Sequence, residues 1–495
     1  MLFNSFHFLV FFPIVVLVYF CIPKKMRYIW LLATSYYFYM CWNAQYALLL
    51  FFSTFITWLS AVFMERIGSS DLGEEKIRTG KRCCVAGSFI LNLAVLFFFK
   101  YFYFAVDNLN LILEKMQMKI ISPGLDIILP VGISFYIFQA LGYTVDAYRG
   151  DIRIEKNLAK YALFVSFFPQ LVAGPIERSK NLLLQLDRIE QIKVWDYERI
   201  KSGLLLMVWG FFQKLVIADR IAIVADNVFD HYREYGMVEL VTAAVLFSFQ
   251  IYCDFGGYSN IAKGCAEVMG FKLMDNFRQP YLAADIKEFW RRWHISLTTW
   301  FTDYVYIPLG GNRKGKRAQC RNILIVFLCS GLWHGANWTY VIWGALHGCA
   351  QVLGNIRKWC WPRKAEKGSK YLSGICRIIG IGINFGVVTF FWIFFRADSM
   401  ADALGYLAQC TKALRLQTFT AMGLGAADWG VLILALLILL IVDLLHEKEV
   451  QIRQLIQRQN LILRGGIYLA AVWLVILFGV YGFQYDASQF IYFQF

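Results

Sequence analysis

Three histidines of this 495-residue chain stand in strongly apolar or aromatic surroundings: His294 in FWRRWHISLTTWF, His334 in GLWHGANW and His347 in WGALHG. Imidazole is the side chain whose ordinary pKa lies near neutrality, so it can take a hydroxyl proton while an ester forms. His334 closes an apolar run that opens at Asn322, directly after a basic loop. At 1.5 Å per helical residue it lies ~18 Å beyond the loop's edge, past the midplane of a roughly 30 Å hydrocarbon core. An ionisable group at that depth is a candidate functional residue. The plainer alternative is a neutral histidine hydrogen-bonded between helices, and it weighs more heavily for His347. Gly331, Gly335 and Gly344 allow a backbone or a ligand to come close.

His294 lies in a stretch that is basic yet crowded with aromatics, DIKEFWRRWHISLTTWFTDYVYIPLGGNRKGKR from Asp285. A helix over Asp285 to Trp300 would put Trp290 and His294 on one face at i, i+4, and Glu288 beside Arg292 in the same way. Such a segment suits a membrane interface. Its rings sit at headgroup level while Arg291, Arg292, Arg313, Lys314, Lys316 and Arg317 face phosphates, of lipid or of a cytoplasmic ligand such as coenzyme A. A lipid-anchoring basic loop explains the charges equally well. Trp290, Arg291, Arg292, Trp293, Trp333, Asn337 and His347 are the candidates for lining a substrate tunnel or binding the donor. At the C-terminus, FIYFQF is an apolar end with one hydroxyl, Tyr492, for which an aromatic anchor is the plainer explanation.

The elements that position these residues are membrane helices. Hydrophobic residues make up 59% and charged residues 17%, against roughly 45–50% and about 25% in ordinary soluble domains. The 44 Phe, 27 Tyr and 16 Trp beside 9 Pro exclude disorder, collagen-like repeats and a disulfide-stapled module. Net charge is +15, from 49 Lys and Arg against 34 Asp and Glu. Cytoplasmic loops collect such residues, and no nucleic-acid module accompanies them, so no nucleic-acid partner is expected. The 12 cysteines form no C-x-x-C pair, and the 6 histidines show no ligand spacing, so no metal is expected.

The N-terminal run carries its basic residues, Lys24, Lys25 and Arg27, after it rather than before, which is not a signal-peptide pattern. Basic stretches 65–82, 149–160, 180–201, 275–321, 357–377 and 447–464 would be cytoplasmic, leaving both termini outside. Two apolar stretches, Leu240 to Ile251 and Phe164 to Gly174, are too short for a straight span, and Pro169 and Pro175 interrupt the second. Short or broken segments must be enclosed by protein or line a cavity. The expectation is one integral-membrane domain over 1–495, all-α and polytopic, with the tail 486–495 on the outer side.

The pairing of FWRRWHISLTTWFTDYVYIPLGG with GLWHGANWTYVIWGALHG resembles the signature of the membrane-bound O-acyltransferase family, in the branch of the alginate O-acetyltransferase membrane subunit. MLFNSFHFLVFFPIV, ILPVGISFYIFQALGYTVDAYRG, SFFPQLVAGPIER and IYCDFGGYSNIAKGCAEVMGF resemble that branch too. The resemblance implies a ring of transmembrane and re-entrant helices around a tunnel, with a cytoplasmic mouth for an acyl thioester and an outer mouth for the acceptor. It implies that His334 is catalytic, that His294 supports it, and that Tyr492 is an acyl relay. The implied activity is transfer of acetyl from acetyl-CoA, with no bound cofactor, toward a bacterial cell-surface polysaccharide. A separate periplasmic or surface acetyltransferase would complete it. Two alternatives remain open at this point. One is D-alanyl transfer to teichoic acid from a carrier-protein thioester; the other is a proton-coupled transporter, for which Asp254 and Glu267 would be the relay candidates.

Overall fold

The computed structural model describes residues 1–361, 370–412 and 419–481. Among them every regular element is a helix. Seven helices are long and apolar enough to cross a bilayer: Ala44–Gly68, Glu74–Lys115, Tyr197–Asp230, Met237–Met269, Gly374–Arg396, Ala426–Glu447 and Leu461–Phe478. The chain is therefore an all-α, multi-pass membrane protein. Two compact units divide it, Met1–Leu204 with Ala262–Met274, and Leu205–Ile261 with Asp275–Phe495.

In the first unit, neutral hydrogen bonds join the helices. Lipid offers little hydrophobic drive between them, so small polar groups supply specific contacts. Ser53 donates to Asn92 Oδ1 at 2.5 Å, and the hydroxyls of Thr57 and Tyr161 meet at 2.7 Å. The broken segment behaves as its prolines imply. Helix Leu158–Ser166 stops, and a single turn, Phe168–Leu171, restarts at Pro169. The freed carbonyl of Phe164 accepts from the side-chain amides of Gln139 and Gln170 at 2.7 and 2.8 Å, while Ser35 Oγ accepts from the Phe168 amide at 3.1 Å. The backbone groups freed by the break are thus satisfied by protein.

In the second unit the expectation for Leu240 to Ile251 is corrected. That run is part of a 33-residue helix, Met237–Met269. Its apolar pattern fails at Asp254, but Lys214 lies 2.5 Å from that carboxylate and 2.9 Å from Asp219, so Asp254 has a buried cation beside it and the helix continues. The three buried histidines, His294, His334 and His347, stand on other elements of this unit. Helix Lys316–His334 and helix Trp338–Cys360 form a tight hairpin. A methyl added at Gly331 would sit 2.3 Å from Tyr340 O, and one at Gly344 would sit 2.3 Å from Phe327 O. The glycines are used for backbone contact.

Candidate active site

His334 is the last residue of its helix, and Asn337 begins the next. The Asn337 side chain accepts from the Thr339 amide at 3.0 Å and donates to Asp398 O at 2.8 Å. Asn337, a candidate for the substrate tunnel or donor site, uses its side-chain amide as a helix cap that fixes the turn just after His334. His334 is 4% exposed. Its ring lies 4.9 Å from Trp333, 5.0 Å from Trp343 and 5.3 Å from Phe395, centroid to centroid. Three aromatic walls leave little room for water.

The expected helix over Asp285 to Trp300 is broken. Ile286–Arg292 and Ile295–Phe301 are separate, and His294 between them has φ 42° and ψ 53°. That left-handed backbone costs a non-glycine residue about 1–2 kcal/mol. The consequence is that Trp290 and His294 do not share a face. His294 turns toward Phe255 at 4.6 Å, Trp333 at 5.9 Å and His334 at 6.3 Å. Two histidines 40 positions apart in sequence thus meet in a dry aromatic pocket. Burial alone pushes the His294 pKa down to about 3, so its ring is neutral.

Trp290 faces elsewhere, donating its indole N–H to His347 Nδ1 at 3.2 Å. His347 thereby carries its proton on Nε2 and is enclosed by Phe391, Trp343 and Trp290 at 4.8, 4.9 and 5.0 Å. It holds the indole in place. Trp293 is buried between Phe277 and Trp392, at 4.9 and 5.1 Å, in the core.

A cavity of about 390 Å³ opens beside these residues, and exposed Lys287 and Arg291 line it together with Trp290. Leu297 and Thr298 line it too, three and four residues after His294, as does Ser330, one helical turn before His334. Gln351 and Asn355 add amide groups. Arg292, expected beside Arg291 as a phosphate ligand, is corrected by its contacts. Its guanidinium binds Glu447 at 2.6 and 3.0 Å and Glu288 at 2.6 Å, which occupies its donors with carboxylates. Arg377 bridges the same two carboxylates at 3.1 Å each. Tyr492 lies outside the described residues.

The membrane-bound O-acyltransferase family model matches residues 152–381, a stretch containing both His294 and His334. A probable alginate O-acetylase of Pseudomonas syringae pv. tomato is 37% identical over 404 residues, covering 81% of this chain and 73% of that protein. The chain belongs to the membrane-bound O-acyltransferase family. A peptidoglycan O-acetyltransferase of Helicobacter pylori is 34% identical, covering 77% of this chain and 72% of its own. A teichoic acid D-alanyltransferase of Streptococcus thermophilus is more distant, 28% identical over 54% of this chain and 68% of its own. As a member of that family the protein is an acyltransferase.

For an acyltransferase of this build, several pocket residues escaped sequence reasoning. Ser330 was readable in principle, since i−4 from His334 on a helix is the same face. Phe395, Trp343 and Gln351 carried no local signal, because each reaches the pocket or cavity through helix packing.

Proposed function

We propose that the protein takes an acetyl group from acetyl-CoA on the cytoplasmic side of a bacterial cell membrane and delivers it for O-acetylation of an extracytoplasmic polysaccharide. The observation that carries this reading is the cavity lined by the exposed Lys287 and Arg291, whose lining reaches within one turn of both histidines. The two cations suit the phosphates of coenzyme A, and the amides of Gln351 and Asn355 in the lining suit its pantetheine arm. His334 takes the proton of the attacking hydroxyl as the oxygen bonds to the thioester carbonyl; the carbon–sulfur bond breaks, and the thiolate leaves with that proton. Ester and free thiol are the products. General-base catalysis contributes about 10²–10⁴-fold, and positioning with exclusion of water supplies the rest.

Support for acetyl and for a polysaccharide acceptor comes from the named activities of the relatives in Pseudomonas and Helicobacter. In this reading the basic loops face the cytoplasm and both termini the outside, and a separate extracytoplasmic protein completes transfer. Tyr492 is the candidate relay, a phenol ester being a better donor than a sugar ester.

The test compares thiol release from acetyl-CoA with release from acetyl-pantetheine, which lacks the nucleotide phosphates. Arg291→Glu should raise the KM for acetyl-CoA about tenfold or more while leaving acetyl-pantetheine unchanged, as loss of one charge-assisted phosphate contact implies. Equal kinetics for both donors in wild type and variant would remove coenzyme A from the reading. An acetyl adduct on the C-terminal peptide, absent in Tyr492→Phe, is the expected sign of the relay.

A further inference from the structure

We infer that Asn276 is the positioning residue for His294, an inference that rests on the reading of the two-histidine pocket as the site of acyl transfer. His294 occupies a left-handed backbone between two seven-residue helices. Nothing in its own sequence enforces that turn, since no glycine or proline stands beside it in RRWHIS. The turn is imposed from outside by the segment around Asn276. The Ile295 amide donates to Asn276 O at 3.0 Å, and the Arg278 amide donates to Arg292 O at 2.9 Å. Those two backbone bonds run in opposite senses and bracket Trp293 and His294, like a two-rung antiparallel clip.

The Asn276 side chain fastens the clip on both sides. Its Nδ2 donates to Ser259 Oγ at 3.0 Å, on helix Met237–Met269. Its Oδ1 accepts from Ser296 Oγ at 2.6 Å, on the helix that follows His294. Asn276 is 1% exposed, so these are its bonds in a dry environment, where each constrains strongly. Phe255, on the same helix as Ser259, packs 4.6 Å from the His294 ring, and Phe277 packs 5.0 Å from Phe255. One buried amide therefore sets the His294 turn against the helix that carries its aromatic wall. Asn276 is not among the residues that line the cavity, and its bonds run to Ser259 and to the two residues that follow His294.

The positioning role separates turnover from donor binding. With purified full-length protein in nanodiscs and acetyl-CoA as the probe, Asn276→Ala should lower kcat about 100-fold, the cost of roughly 1 Å of misplacement. The KM for acetyl-CoA should stay within about twofold, because Lys287, Arg291 and Trp290 stand on helix Ile286–Arg292, whose bonds from Trp290 to His347 and from Arg292 to Glu288 and Glu447 do not involve the Asn276 side chain. Ser296→Ala, a smaller change, should lower kcat about 3- to 10-fold, and the double variant should be no slower than Asn276→Ala, because both remove one shared bond. If Asn276→Ala does not fold, Ser296→Ala decides by the same split. Parental kcat in either variant, or a raised KM with kcat unchanged, overturns the inference. Turnover surviving in both His294→Ala and His334→Ala would instead overturn the underlying reading of the pocket.

Discussion

The two units meet the bilayer with different buried polar groups. In the helix contacts of Met1–Leu204, hydroxyls and amides such as Ser53 with Asn92 and Thr57 with Tyr161 pair as neutral groups. In the unit holding Leu205–Ile261 and Asp275–Phe495, a spanning helix carries Lys214 between two aspartates, and His294, His334 and His347 are all buried. The other histidines, His7, His231 and His446, are exposed. Neutral pairs fasten helices at small cost to either state, whereas buried charges and imidazoles are expensive. The first unit also buries Arg27, Asp146 and Glu177, so the difference lies in the buried histidines and in a lysine–aspartate cluster on spanning helices.

The comparison can be broken first at Lys214. Lys214→Met leaves Asp219 and Asp254 buried without their cation, and should destabilise the protein by roughly 3–5 kcal/mol in chemical or SDS unfolding from detergent. A loss under about 1 kcal/mol would mean that the triad is hydrated and the contrast between units overstated.

The pH dependence sharpens it next, because one titrating group in each unit acts in the opposite sense. Burial holds His294 at about 3 in the folded protein against an ordinary 6.5, so its stability contribution is present above 6.5 and is lost as pH falls toward 3. Glu177 is pushed up to about 7 by burial, partly offset by the amides of Met274 and Asn181, against an ordinary 4.5. The folded state keeps that proton between 4.5 and 7, so stability falls as pH rises through this window. Melting temperatures of His294→Phe should lack the acid-side loss, and those of Glu177→Gln the loss between 4.5 and 7. Curves parallel to wild type for both variants would show that neither group titrates as its burial requires.

The smallest effect is expected in the first unit. Thr57→Val removes the bond to Tyr161 and should cost ~0.6 kcal/mol, at most about 2, as for interhelical hydrogen bonds in membranes generally. A loss comparable to that of Lys214→Met would erase the distinction.

Parts of this arrangement were legible because their causes are local. The His334 run follows a basic loop at helical spacing with glycines on the packing side, and the structure closes it as a hairpin. The break at Pro169 was equally readable. The turn at His294 was not, since helical periodicity continues through it and the forces that bend it come from Asn276 and Arg278, outside the segment. Arg292 misled for the same reason: Glu288 at i−4 is visible in sequence, but Glu447 lies 155 residues away. Nor does an apolar count reveal that Lys214 lies beside Asp254, so hydropathy alone ends the run short of the helix's true length.

The most direct test of the central claim follows thiol release and acetyl-ester formation from acetyl-CoA in wild type, His334→Ala and His334→Gln, with folding checked by gel filtration and melting. Folded variants with turnover reduced about 10²- to 10⁴-fold and an unchanged KM for the donor are expected of a lost general base. Folded His334→Ala protein turning over at the parental rate would contradict it.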